Sequence, residues 1–363
     1  MNPLDRRAFI KISAAGLAVL AGCQSPTPEP APAPIPARLR REFGLVQLAC
    51  RAASSHNTQP WQFQISAGEI EIRPDFSRRC PALDPLDHHL WVSLGCAAEN
   101  IMLAAADQGL NPALSIGNHA IRIHLGEGAI QPASGLSRAI AHRQSTRCEY
   151  DRRPIPEAWL QTLCETARGD GVEASILLAG PPRDAVENLI LEASDSQFEQ
   201  AALKKELLHW LRFNEAEARA SGDGLYSACS GNPTLPSWLG RLAFERFYTA
   251  ESARSVLHRQ LQSASGLIVL HAARHDWRQW IASGRCAQRL ALQLTALGLK
   301  MAFVNQPIEV AASRTKLASA LSLDGRHPDM LLRFGFANPM PSSYRRPLPE
   351  VFTPAQNVIP SKR

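Results

Sequence analysis

Apolar positions recur at two periods along this chain, and the switches between them outline its elements. Over residues 38–53, Leu39, Phe43, Val46, Leu48 and Ala49 fall at helical spacing, which predicts an amphipathic helix. A polar run, 54–60, stops it. Trp61-Gln62-Phe63-Gln64-Ile65 and Ile70-Glu71-Ile72 then alternate, which predicts a β-hairpin. Over 84–107, Leu90, Leu94, Ala97, Ile101 and Ala105 return to three- and four-residue spacing, and Gly109 ends that helix. Ile121-Arg122-Ile123-His124-Leu125 alternates again. The rest of the chain repeats the order with insertions. It predicts a helix over 156–168, a strand over 174–179 and helical structure over 182–219. A buried strand over 266–271, a helix over 276–297 and strands over 301–305 and 331–336 follow.

The repetition is visible in single residues. Trp91, Gly95, Ala98, Gly109 and Leu110 recur as Trp280, Gly284, Ala287, Gly298 and Leu299, always 189 positions later. A tandem duplication explains this. Two unrelated core helices that share five positions are the competing account. Residues 205–250 separate the repeated elements. Their part from 220 on is rich in Gly, Pro and Ser and carries Tyr226 and Trp238, the composition of a lid or of a disordered insertion.

Composition narrows the class. Hydrophobic residues make up 45% of the 363 and charged residues 20%, which excludes a mainly disordered chain. No apolar run reaches the roughly 18 residues of a membrane-spanning helix. The formal charge of +6 is spread along the chain and forms no basic stripe, so nucleic acid is not an expected partner.

The first residues have a separate logic. Asp5-Arg6-Arg7-Ala8-Phe9-Ile10-Lys11 resembles a twin-arginine export signal, with Asp5 where Ser or Thr is usual. A short apolar segment leads to Leu20-Ala21-Gly22-Cys23, which resembles a lipobox with Cys23 as the lipid attachment site. Residues 24–37, QSPTPEPAPAPIPA, favour extended polyproline II and make a spacer of roughly 40 Å. The expected location is the periplasmic side of a bacterial membrane, with Gln24 slightly favouring the outer one. Twin-arginine export carries folded proteins, chiefly those that acquire a cofactor first, so a tightly bound cofactor is expected.

Ser54-Ser55-His56-Asn57-Thr58-Gln59-Pro60-Trp61 concentrates donors and acceptors in one turn between helix and strand. A planar heteroaromatic ligand needs such a set, and so does a plain capped turn before Pro60. This stretch resembles the flavin-contact motif of the nitroreductase family, and most closely its Acg-like tandem FMN-binding branch. His142-Arg143-Gln144-Ser145-Thr146-Arg147, Asn305-Gln306-Pro307-Ile308-Glu309 and Tyr344-Arg345-Arg346-Pro347 resemble three further elements of that family. The resemblance covers nearly all of 38–352. It implies an α+β fold of mostly antiparallel sheets flanked by helices, built as two fused halves, 38–133 and 134–352, with 353–363 as a tail.

The same resemblance implies an FMN site. Ser54, Ser55, His56, Asn57 and Gln59 come from the first half; Arg143, Ser145, Arg147, Pro307, Ile308, Glu309, Arg345 and Arg346 come from the second. The arginines suit the phosphate. The backbone N–H groups of Ile308 and Glu309 are expected near flavin N5. Neither half holds a full set, so one FMN per chain, between the halves, is expected. The implied activity is two-electron reduction of a nitroaromatic or quinone-like acceptor. Free NAD(P)H is not available beyond the inner membrane, so a quinol or redox protein is the expected donor. A flavin-binding or storage protein whose lid closes the site is the second reading. Two chains need not associate, because the duplication already supplies both halves.

Other chemistries lack a pattern. His88 and His89 are adjacent, His271 and His275 straddle a strand end, and no CxxC or HExxH occurs, so no metal is expected. Gly126-Glu127-Gly128 lacks the third glycine of a dinucleotide fingerprint, and there is no GxSxG. Beyond Cys23, seven cysteines remain, an odd number that cannot all pair. Cys96 and Cys286 sit on apolar helices and are expected to be reduced core residues.

Overall fold

A computed structural model describes residues 39–128 and 134–353. The export-type segment with Cys23, the proline-rich spacer and the tail from residue 354 lie outside the described residues. Helix α1 (Arg40–Ala49) precedes the hairpin β1 (Trp61–Ser66) and β2 (Glu69–Pro74), the long helix α2 (His88–Asp107), and the hairpin β3 (Asn111–Gly117) and β4 (Ala120–Gly126). The same series returns as α3 (Glu157–Thr166), β5 (Val172–Leu177), β8 (Gly266–Ala272), α9 (Trp277–Ala296), β9 (Lys300–Phe303) and β10 (His327–Gly335). Between β5 and β8 are inserted α4 (Pro181–Phe198), α5 (Ala201–Trp210), β6 (Leu211–Arg212), α6 (Glu215–Ser221), β7 (Leu225–Tyr226), α7 (Ser237–Phe247) and α8 (Ala250–Ser263). Between β9 and β10 are α10 (Gln306–Glu309) and α11 (Ala311–Ala320).

Two four-stranded sheets result, ordered β1-β2-β4-β3 and β5-β8-β10-β9, and every pairing in both is antiparallel. The two orders are the same once repeated elements are matched. Helices α2 and α9 begin and end 189 residues apart. Helix α2 packs on the first sheet, α9 on the second, and the two helices on each other, so the molecule is sheet, helix pair, sheet. Sixteen of the twenty residues of α2 are buried, as a helix enclosed on all sides requires. The described residues form a single unit, so the halves are interlocked.

The helices meet on glycine. A Cβ on Gly95 would lie 2.1 Å from the carbonyl oxygen of Ile281, and one on Gly284 would lie 2.0 Å from that of Val92. Val92 and Ile281 are themselves 189 apart, so the crossing is nearly twofold. Any side chain at either glycine would push the backbones apart.

Several elements depart from expectation. The edge strand β3 carries Asn111 and Pro112 and alternates weakly, so its pattern does not announce a strand; its edge position tolerates the proline. Residues 237–247, 250–263 and 311–320 are helical although their apolar stripes are thin. The helical run over 182–219 is three helices, broken after Phe198 and after Trp210. No helix among the described residues is long and apolar enough to cross a membrane.

The glycine crossing sets a stability contrast. Gly95→Ala or Gly284→Ala should each cost about 3 kcal/mol or more, in the range of strained small-to-large core changes. Gly44→Ala on α1, where nothing lies within 4 Å, should be neutral or gain up to about 1 kcal/mol. Urea denaturation of the three variants checks both signs.

Candidate functional site

The turn after α1 is conformationally costly. His56, Asn57 and Gln59 have φ of 46°, 55° and 53°, three non-glycine residues in the left-handed region within four positions. Such residues cost of order 1 kcal/mol each and persist only where surrounding contacts fix them. Here the fixing groups are amides. Asn57 Nδ2 donates to the carbonyls of Gly224 and Tyr344, both at 3.1 Å. Gln59 Nε2 donates to Gly222 O at 2.8 Å, its Oε1 accepts the N–H of Arg346 at 2.9 Å, and Ser54 Oγ accepts the N–H of Gln59. Arg346 Nη1 donates back to Gln59 O. The turn is thereby tied to the insertion and to the C-terminal stretch.

The facing wall is extended chain. Residues 143–147 run beside β9: Ser145 bridges Met301, and the Thr146 N–H donates to Met301 O at 2.8 Å. In extended chain alternate side chains share a face, and Arg143, Ser145 and Arg147 all face one recess. Behind them the buried Arg333 of β10 donates to the carbonyls of Thr146 and Cys148 and lies 4.2 Å from the centre of the Tyr150 ring. Gln144 exchanges two hydrogen bonds with the Met340 backbone, which brings Arg345 alongside.

Between these walls lies a cavity of about 390 Å³, with an annex of about 80 Å³. Ala53, Ser54, Arg147, Leu225 and Phe303 line both. The larger chamber also meets Ser55, His56, His89, Val92, Ser93, Cys96 and Met330. The annex gathers Arg51, Arg143, Arg147 and Arg345. Among the described residues, none of these four guanidinium groups has a carboxylate within 4.0 Å. Arg143 Nε and Arg345 Nε are buried without a partner. Burial, and then the neighbouring cations, push Arg345 down to about 9 and Arg143 down to about 10. A cluster of cations in this condition is an anion site.

The chamber's polar wall is His89 and Glu309, with Nε2 and Oε1 3.5 Å apart and Gln197 Nε2 donating to Oε2 of Glu309 at 2.7 Å. Burial raises the pKa of Glu309 and lowers that of His89, so both favour the neutral form. Behind His89, His88 stacks on it and approaches Asp329. Asp329 is the extra residue of a bulge in β10, is fully buried and accepts from Ser283 Oγ at 2.5 Å.

Several expected site residues fall elsewhere. Pro307 and Ile308 are buried and line neither chamber. The N–H groups of Ile308 and Glu309 both donate to Asn305 O, so neither is free for a ligand; the loop instead presents the side chains of Asn305, Gln306 and Glu309. Gln59 and Arg346 tie segments together and do not reach the cavity. The cavity is covered partly from 205–250, by Leu207, Leu225 and Tyr248, and partly from before it, by Gln197 and Phe198 of α4 and Lys204 of α5. Tyr226 packs near Tyr344 instead, and Trp238 is 70% exposed. All seven cysteines beyond Cys23 are free thiols, and Cys96 and Cys286 are buried as expected.

The site is not repeated by the pseudo-twofold. The α9 counterpart of Cys96 is Arg285, which binds Glu99 at 2.9 Å and Asp170 at 2.7 Å. Trp91, Trp277 and His119 pack together, with Trp277 5.0 Å from each of the other rings. At this counterpart position the side chain is held in ion pairs.

No family model matches the chain. It is 26% identical over 326 residues to a Mycobacterium tuberculosis protein provisionally named NAD(P)H nitroreductase Rv3131, covering 85% of this chain and 89% of that one. It is 24% identical over 320 residues to a second protein of that organism, provisionally named NAD(P)H nitroreductase acg, covering 85% and 93%. Among solved structures, the FMN-dependent nitroreductase NfnB from Mycobacterium smegmatis, in complex with NADPH, overlays with a TM-score of 0.36 at 16% identity, covering 57% of this chain and 90% of that one. A nitroreductase with bound FMN from Desulfitobacterium hafniense gives 0.38 at 13% identity, covering 60% and 96%.

Two measurements probe these electrostatics. Burial pushes the Asp329 carboxyl up to about 7, Asp276 adds to the rise, and Ser283 and Arg314 oppose it. An unfolded aspartate titrates near about 3.9, so between the two values the native chain holds a proton that the unfolded chain has released. That stability is complete below the lower value and is lost as pH rises through about 7. Asp329→Asn should therefore flatten the fall in melting temperature between about pH 4 and 7. Separately, inorganic phosphate should raise the melting temperature of ligand-free protein, by the equivalent of about 2.7 kcal/mol at a hundredfold excess over Kd. Arg345→Gln should abolish that response while leaving the phosphate-free protein no less stable.

Proposed function

We propose that this protein is an FMN-dependent oxidoreductase of the nitroreductase type. It holds one FMN between its two halves and reduces an electron-poor acceptor, nitroaromatic or quinone-like, by two electrons. The carrying observation is the annex of four guanidinium groups without carboxylate partners, opening onto a chamber of ring size. The sequence likeness to two proteins named as nitroreductases, each across 85% of this chain, supports the same reading.

The residues fit the cofactor. Arg143, Arg147 and Arg345 would hold the phosphate, with the unpartnered Nε atoms of Arg143 and Arg345 as its donors. Ser54, Ser55 and Ser145 offer hydroxyls for the ribityl chain, and Val92, Phe303, Leu225 and Met330 bound the ring space and exclude water. Bound FMN supplies hydride transfer at N5. His89 and Glu309, 3.5 Å apart at the chamber wall, are titratable groups placed to pass protons to an acceptor that takes up both electrons and protons. The ion-paired counterpart position favours a stoichiometry of one.

The proposal extends to setting. The N-terminal pattern supports export in folded form and lipid attachment at Cys23, and then the donor is a quinol or a redox protein. The names of the relatives carry NAD(P)H, and those names belong to the relatives. A second reading, a flavin-binding or storage protein, draws on one observation: α4, α5 and Tyr248 cover the chamber.

The full chain should purify yellow with one FMN per polypeptide. Arg143→Ala and Asn57→Ala should each weaken retention at least about tenfold, the scale of one lost charge-assisted hydrogen bond or of a loosened turn. Dithionite-reduced flavin should be reoxidised anaerobically by a nitroaromatic or a quinone. Colourless protein that refuses added FMN overturns the whole proposal. A tightly held flavin inert to every acceptor transfers it to the storage reading. Comparing NADPH with a soluble quinol as reductant decides the donor.

A further inference from the structure

At the edge of the chamber three donors converge from separate stretches of chain. His56 belongs to the strained turn, Cys80 to the loop before α2, and Glu206 to α5. Their ligand atoms all lie within 4.8 Å of one another. The residues are 24 and 126 positions apart, so no spacing motif announces them, which is why the sequence predicts no metal. Each donor is in a state that suits a cation. His56 is hydrogen-bonded by none of the described residues, and burial together with Arg147 and His89 pushes its pKa down to about 4, so its ring is neutral with a free lone pair. Glu206 is fixed by accepting the N–H groups of Ala82 at 2.9 Å and Leu83 at 3.1 Å, one on each oxygen, which leaves a lone pair on both. Cys80 is 4% exposed; burial, then Glu206, Asp84 and Glu309, raise its pKa above the usual thiol range. The Glu206 carboxylate beside it disfavours a lone thiolate and favours a divalent cation.

We infer that His56, Cys80 and Glu206 form a binding site for a divalent transition metal of the zinc class. One nitrogen, one sulfur and one carboxylate oxygen exclude the hard cations that take only oxygen, and select zinc or a close neighbour. Three protein donors leave one tetrahedral position for water or another small ligand. Donors around a tetrahedral zinc are roughly 3.5 Å apart, from bonds of about 2.0 to 2.3 Å, so the set closes by about 1 Å on binding. The Cys80 thiol gives its proton to solvent, and thiolate plus carboxylate balance the two positive charges. The metal would clasp α5 and the loop before α2 to the turn that carries Ser54 and Asn57. It would thus fix the rim of the chamber whether or not FMN is the ligand inside.

The test uses the full chain as purified, treated with chelator, dialysed and titrated with zinc, with bound metal and FMN both counted. One zinc per chain is expected, and cobalt in its place should give a thiolate-to-metal charge-transfer band. Cys80→Ser should remove that band and lower zinc affinity at least about tenfold. His56→Asn, which tolerates the left-handed backbone, should lower affinity equally and decides the matter if the serine variant does not fold. FMN content that stays near wild type in Cys80→Ser, at a residue that lines neither chamber, separates this site from the flavin proposal. Zinc uptake below about a tenth of an equivalent overturns the inference. So does equal uptake by wild type and both variants.

Discussion

The structure hangs on one contact, the crossing of α2 over α9 at Gly95 and Gly284. Two helices whose backbones touch without intervening side chains cannot slide or rotate independently, because any shift drives a carbonyl into a Cα. Everything functional is placed from there. Helix α2 supplies His89, Val92, Ser93 and Cys96 to the chamber wall, and Cys96 Sγ itself donates to Gly284 O across the crossing. The sheets are carried on the outer faces of the two helices. Residues 143–147 from one half and 54–60 from the other therefore meet at a separation set by glycine.

Equal strand order, equal helix lengths and the constant offset support a duplicated unit. The asymmetry carries the chemistry. Where the first half has two tight hairpins, the second has two insertions: α4 and α5 of the first cover the chamber, and α10 of the second places Glu309 in its wall. At the opposite position, which twofold symmetry would make equivalent, Arg285 and Arg289 pair with Glu99, and Arg285 also with Asp170. Buried ion pairs of this kind are weak evidence for stability, because desolvation offsets attraction. Their clearer effect is that both guanidinium groups already have anionic partners.

What the sequence shows and hides follows from range. The helices and most strands were legible because each writes its own period, and Arg143 and Arg147 because two charges flanking Ser145 at alternate positions match the motif the stretch resembles. Edge strand β3 was not legible, since a strand with one partner needs little apolar alternation. Helices α7 and α11 were not, since their burial comes from a few residues. The role of Asn57 was half legible. Its polarity marks a site, yet its partners are carbonyls 167 and 287 residues away. Arg333 and Gln144 were invisible for the same reason, as nothing local distinguishes a guanidinium on a surface from one holding up a loop. The backbone role expected of Ile308 and Glu309 fails because a short helix consumes both N–H groups.

These arrangements share one energetic condition. A turn with three left-handed non-glycine residues and an annex of unpartnered guanidinium groups are both unfavourable in the protein by itself. Neither is relieved within the chain: the amide ties hold the turn in its strained form, and Arg143 and Arg345 keep orphaned donors. Folding of this region therefore gains from whatever anion neutralises the annex, and by linkage the anion binds more tightly than its contacts alone would give if the same region were relaxed before binding. A ligand that both fills the chamber and carries a phosphate satisfies the two conditions together. That coupling would make the loaded protein the form that persists, which is the physical requirement for a chain exported only after folding, as the proposal for its N-terminus has it.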